Sequence, residues 1–161
     1  MDSLMTRIAT NVTLSTISEA NATRVGMNQT KIDALEAQWQ SELGTNNPTL
    51  INTVVNRALG DHLRTVVEGS YGLITEINVM DAHGLSVGQS SSNSDIWQGE
   101  EGKYKKSFLV GPGAVFVDEV EFDESTQSYQ SQVNATIVDP NSGKAIGAVS
   151  VGIDMNVLTD M

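Results

Sequence analysis

The chain has 161 residues, no cysteine, and 20 Asp plus Glu against 9 Lys plus Arg, for a formal net charge of -11 and a pI near 4.4. That length suits one domain with its own core, and so acidic a surface repels phosphate backbones and anionic headgroups, which argues against nucleic acid or a lipid surface as partner. The absence of cysteine excludes disulfides, thiol catalysis and thiolate metal sites. No apolar run reaches the roughly 18 residues a membrane span needs, and Met1-Asp2-Ser3 does not open a signal peptide. The chain reads as soluble and suits a segment excised from a membrane protein.

Residues 2–43 contain no Pro and one Gly, Gly26, and read as one long helix within 1–44. Ile32, Leu35, Trp39 and Leu43 recur at intervals of three and four, so the second half should pack on the rest of the protein. The weaker stripe of Met5, Ile8 and Val12 predicts a partner-facing surface, a homodimer through the N-terminal helix. Gly44 suits a helix C-terminus, and Pro48 opens a second, strongly amphipathic helix over 48–68, ended by Gly69.

Strands follow over 73–80 and 85–89, joined by the turn Asp81-Ala82-His83-Gly84, where Asp and Gly allow a tight reversal. Beyond the polar loop Ser90-Ser91-Ser92-Asn93-Ser94, Asp95 and Gln98 have capping-box spacing. They predict a short helix presenting Trp97, Tyr104 and Phe108 on one face. Gly111-Pro112-Gly113 leads into an alternating strand over 114–122. A second hairpin turns through Asp139-Pro140-Asn141-Ser142-Gly143. The expected architecture is α+β, a single domain over 1–161. Two helices and a covering helix or loop lie on a five-stranded antiparallel sheet, with sheet and pocket region over 73–155.

Six of the chain's aromatic residues, Trp97, Tyr104, Phe108, Phe116, Phe122 and Tyr129, fall in one third of its length beside a polar loop, a composition that suits a small-ligand pocket. On the strand over 114–122, alternation places Asp118 with Phe116 on the more apolar face, where a carboxylate needs a partner. On the final strand, Val149, Val151 and Ile153 form a bulky face. Ala148, Ser150, Gly152 and Asp154 form a small one, with space above it. Lys103, Lys105 and Lys106 flank Tyr104, either to steer an anionic ligand or to pair with Glu100 and Glu101.

Enzyme motifs fail on context. Gly84-Leu85-Ser86-Val87-Gly88 has nucleophile-elbow spacing, but it lies in a hairpin, and both histidines, His62 and His83, precede the serine. The Asp139 loop begins like a calcium loop but carries Ser150 at position twelve, where a bidentate Glu is required. Neither a cofactor, a metal nor a catalytic group set is expected.

The two N-terminal helices, the strand ending Val79-Met80-Asp81-Ala82-His83-Gly84, the Trp97 to Tyr104 segment and the closing run Gly143 to Asp154 together resemble a Cache sensor domain in its single-module form. Such domains are PAS-like extracytoplasmic sensors of bacterial and archaeal chemoreceptors, histidine kinases and diguanylate cyclases. The resemblance implies a non-enzymatic domain of a membrane-anchored receptor, periplasmic or extracellular, that binds a small polar molecule between sheet and cover. It implies ligand contacts from Trp97, Tyr104 and Asp154, with Asp118 or Asp123 as a second acid, Asp118 preferred for its strand face. Phe116 and Ser150 complete the expected site. No Arg lies near Trp97 to capture a carboxylate, a role left to Lys103 or Lys105.

Overall fold

Strict alternation in the two longest strands divides their sheet into one apolar and one polar face. The computed structural model describes residues 2–124 and 127–161. It contains β1 (Ile74–Met80), β2 (Ser86–Gln89), β3 (Val115–Val117), β4 (Glu121–Asp123), β5 (Ser128–Val138) and β6 (Ala145–Asp154). These pair antiparallel in the order β2-β1-β6-β5-β3, with β4 also alongside β5. Counting β3 and β4 as one interrupted edge strand gives the order 2-1-5-4-3 of a PAS-like sheet.

The apolar face carries Ile77, Val79, Val149, Val151, Ala135 and Ile137, which pack with Leu59, Leu63 and Val66 of α5 (Ala58–Glu68) into the main core. Ile8 from α1 (Asp2–Ile8) and Ile17 from α2 (Asn11–Thr23) join them and are fully buried. Met5 and Val12 pack against the same core. The stripe expected to face a partner thus also packs on the domain's own core, Ile8 fully and Met5 and Val12 partly buried. A second cluster joins Ile32 and Trp39 of α3 (Gln29–Glu42), Ile51 and Val54 of α4 (Thr49–Val55), Leu85 and Ile96.

The single long helix expected over 1–44 is three helices. Thr10 is extended before α2, and Gly26 takes a φ of 81° between α2 and α3. The Asn28 side chain then accepts from the Lys31 amide at 3.0 Å and restarts the helix. Breaking the run lets Ile8, Ile17 and Ile32, which one straight rod could not aim together, each reach an apolar cluster. The second helix divides likewise into α4 and α5 where Arg57 becomes extended, and Gly69 caps α5 as expected.

The strand over 114–122 is also interrupted, since β3 stops at Val117 and pairing resumes at Glu121. Its valines Val115, Val117 and Val120 are exposed along the sheet edge. No helix starts at Asp95. Gln98 Nε2 donates to Asp95 Oδ1 at 2.5 Å, while Trp97 makes an isolated bridge to Leu85. The covering helix α6 begins later, at Gly102–Lys105, and α7 (Met155–Thr159) closes the chain. Among the described residues, no helix is long and apolar enough to cross a membrane.

Candidate functional site

The polar face is organised in rows across the strands. The middle row runs Gln89, Asn78, Ser150, Asn134 and Phe116, set by the pairings of Asn78 with Gln89 and Ser150, and of Asn134 with Ser150 and Phe116. Asn78 is 3% exposed, Ser150 4% and Asn134 0%. Asn134 Nδ2 donates to the Phe116 carbonyl at 3.1 Å. Asn134 Oδ1, both amide atoms of Asn78, and Thr136 Oγ1 are buried without a hydrogen-bond partner. Each such atom costs roughly 1–3 kcal/mol, so four of them on one sheet face need an explanation.

On one side of this row the face is sealed by apolar packing. Met80 and Ala148 lie beneath Tyr104 of α6 and the adjoining Phe108, whose rings stack with centroids 5.3 Å apart. The Tyr104 hydroxyl donates to the Ala82 carbonyl at 2.7 Å. Burial, aided by the Asp81 charge, raises the phenol above its ordinary pKa and keeps it a donor.

On the other side the face opens. Glu76, Gly152 and Gln132 form the next row, and Glu76 and Gln132 line a cleft of about 670 Å³ bounded by the start of α6 and the β3–β4 edge. A further space of about 380 Å³, lined by the loop at 92–95 and Gln98, shares Glu76, Glu101, Lys103 and Gln132 with it. Lys103 Nζ lies 3.2 Å from Glu101. The open, middle and sealed rows thus grade from charged through amide to apolar, an arrangement suited to gripping a small polar molecule by one end.

The loop over this cleft is latched to α3. Glu36 Oε1 accepts from the Ile96 and Trp97 amides at 2.8 and 2.6 Å, Trp39 Nε1 donates to the Asn93 carbonyl at 3.0 Å, and Gln40 Nε2 donates to the Ser94 carbonyl at 2.6 Å. Any displacement of the loop therefore pulls directly on an N-terminal helix.

Of the residues singled out in the sequence, Tyr104, Phe116 and Ser150 meet on the polar face. Phe116 carries the Lys106 ammonium 4.5 Å above its ring. Asp118 lines the cleft but lies beyond the end of β3, exposed, its Oδ1 accepting from the Glu119 amide at 2.8 Å. Its expected place between apolar neighbours does not bury it: the Asp118 amide still donates to the Gln132 carbonyl at 2.9 Å, but the sheet edge there is exposed, Val117 and Val120 included. Trp97 is not on the Tyr104 face. Its ring packs with the Trp39 cluster, and its Nε1 donates to the His83 carbonyl at 3.0 Å. Asp154 caps α7, accepting from the Asn156 and Val157 amides at 2.9 and 3.1 Å.

Glu76, Asn78, Gln132 and Asn134 were not singled out in the sequence. Their signal was there: polar side chains at every second position of otherwise apolar strands. Glu36 and Arg24 gave none, because each acts on a segment some sixty residues away.

This is a PAS-like domain with one covered apolar face and one partly open polar face. Its fold is similar to those of solved sensor domains of chemoreceptors and of a histidine kinase. The sensory domain of the Campylobacter jejuni chemoreceptor Tlp3 (CcmL) is 19% identical with a TM-score of 0.50, the match covering 99% of this chain and 63% of that one. The ligand-binding domain of the Pseudomonas aeruginosa PAO1 amino acid chemoreceptor PctC, solved with GABA, is 13% identical with a TM-score of 0.50, covering 92% and 61%. The extracellular domain of rpHK1S-Z16, described as a histidine kinase, is 12% identical with a TM-score of 0.52, covering 93% and 57%. This chain thus spans about three fifths of the length of those solved chains. No family model and no curated protein matches the sequence.

Proposed function

We propose that the chain is the extracytoplasmic ligand-binding domain of a membrane-anchored signalling receptor, a chemoreceptor, histidine kinase or diguanylate cyclase, and that it catalyses no reaction. The observation that carries this reading is the set of unpartnered buried polar atoms on Asn78 and Asn134, in the row next to an open cleft. A small polar ligand entering from the Glu76 side supplies the missing hydrogen bonds. Tyr104, Phe116 and Ser150 enclose it, and Asp118 stands at the mouth.

The latch to α3 supports a route for the signal. A ligand that favours one position of the 92–98 loop shifts the balance between two seatings of α3, and differential affinity for those seatings is all that signalling requires. Calorimetry with a metabolite panel tests the site. Asn78→Ala and Ser150→Leu should each weaken the ligand found by at least tenfold, and unchanged affinity in both would remove the site from the polar face. Since Trp39 and Trp97 both bond to or flank the loop, their fluorescence should change on saturation.

A further inference from the structure

Resting on the sensor reading above, we infer that the ligand is uncharged where it meets the middle row of the polar face, and presents there a carboxamide or urea-type group, a carbonyl acceptor with N–H donors beside it. The row from Gln89 through Asn78, Ser150 and Asn134 to Phe116 is built of neutral side chains. Lys106 stands at its β3 end, but it is exposed and its ammonium lies over the Phe116 ring. A carboxylate or an ammonium drawn into this row would lose its water with no opposite charge to face. An uncharged amide needs only hydrogen bonds.

The bonds made and left open along the row give the second, independent indication. At the β2 end both ends of the Gln89 amide are engaged: Nε2 donates to Ser86 Oγ at 3.0 Å and Oε1 accepts from the Asn93 amide at 2.8 Å. Asn134 spends Nδ2 on the Phe116 carbonyl, which fixes its orientation and leaves Oδ1 as an acceptor alone. Asn78, on the strand between β2 and β6, keeps both Nδ2 and Oδ1 open at 3% exposure. An open donor beside an open acceptor is matched by a guest that presents the reverse pair, as a second amide does. An ammonium only donates and a carboxylate only accepts, so either leaves one buried atom of Asn78 unsatisfied. The Ser150 hydroxyl on the next strand and Asn134 Oδ1 on the one beyond offer acceptors to the guest's further donors. Because α6 packs over β5 and β6, admitting the guest to the row requires that cover to move.

The test is an NMR titration of the whole chain with butanamide, butanoate and 1-aminobutane, probes of similar size that differ in the terminal group. The expected result is butanamide binding at least tenfold tighter than either ion and unchanged as salt rises. The side-chain amide signals of Asn78 and Asn134 should move together along the titration. Asn78→Leu should weaken butanamide at least tenfold with no fall in melting temperature, and Asn78→Asp, which removes the amide's donors, should weaken it as much. Equal or tighter binding of butanoate or 1-aminobutane, still lost in Asn78→Leu, overturns the uncharged class and keeps the sensor site. Butanamide binding that persists in both variants overturns the inference. Failure of all three probes to move the Asn78 and Asn134 signals does so too, and the wider metabolite panel then decides the sensor reading separately.

Discussion

Arg24, at the C-terminal end of α2, donates from Nη1 to Asp81 Oδ2 at 2.7 Å across the turn that joins β1 to β2. Asp81 is wholly buried and Arg24 is 20% exposed. The other carboxylate oxygen accepts from the His83 and Leu85 amides at 2.8 and 3.1 Å. One side chain thus shapes the turn and ties it to the N-terminal helices. Arg24→Ala leaves the buried charge without its counter-ion and should cost about 3 kcal/mol in chemical denaturation. Arg24→Lys should recover part of that loss, and a loss below about 0.5 kcal/mol in the alanine variant would mean the pair contributes no more than a surface ion pair does.

Asn78 should show a trade between stability and binding. Replacing it with Leu, whose side chain has the same branching and number of heavy atoms, removes two unsatisfied buried polar atoms from the ligand-free domain. The expected outcome is a stabilisation of about 1 kcal/mol by urea denaturation, together with loss of the ligand. Destabilisation would show that the amide has partners in solution.

Tyr104→Phe deletes the hydroxyl that donates to Ala82 at 2.7 Å and leaves that carbonyl without this donor. It retains the stacking on Phe108. A loss of about 1 kcal/mol is expected, with the cover over Met80 still in place. Hydrogen exchange of the 81–85 turn amides should quicken in this variant while those of β5 stay unchanged.

Glu42 predicts a pH dependence. Burial alone would raise its pKa, but hydrogen bonds from the Ile51 amide, Gln38, the Leu50 amide and Thr49 outweigh that and hold it below its ordinary value of 4.5. Because the folded pKa is the lower, the carboxylate's contribution is present above the ordinary value and is lost as pH falls through the folded one. Glu42→Gln should therefore melt below the parent at neutral pH, and the two melting temperatures should converge on acidification below pH 4.5. A constant gap across that range would exclude the charge as the cause.

Alternation and turn chemistry made most of the sheet legible in advance. The Asp81 to Gly84 and Asp139 to Gly143 turns and the bulky and small faces of β6 follow from residue order alone, because side chains alternate with a period of two and few residues accept a left-handed turn. The acidic balance was equally plain. What residue order could not show was where a regular pattern stops. Helical and strand periodicity continue through 2–43 and 114–122, yet the elements break at Thr10, Gly26 and Val117.

Contacts between distant segments decided the rest. Trp97 left the Tyr104 face because the backbone of 96–97 is held by Glu36, and Asp154 became a helix cap because the chain turns immediately after β6. Fold class, charge and the division of the sheet into two faces follow from residue order, since these depend on local stereochemistry and composition. The pairing of distant strands brought Glu76, Asn78, Ser150 and Asn134 onto one sheet face and left three amide atoms of Asn78 and Asn134 without partners. Strand register and the closing of the cover, which bring together groups far apart in the chain, set which polar groups find partners.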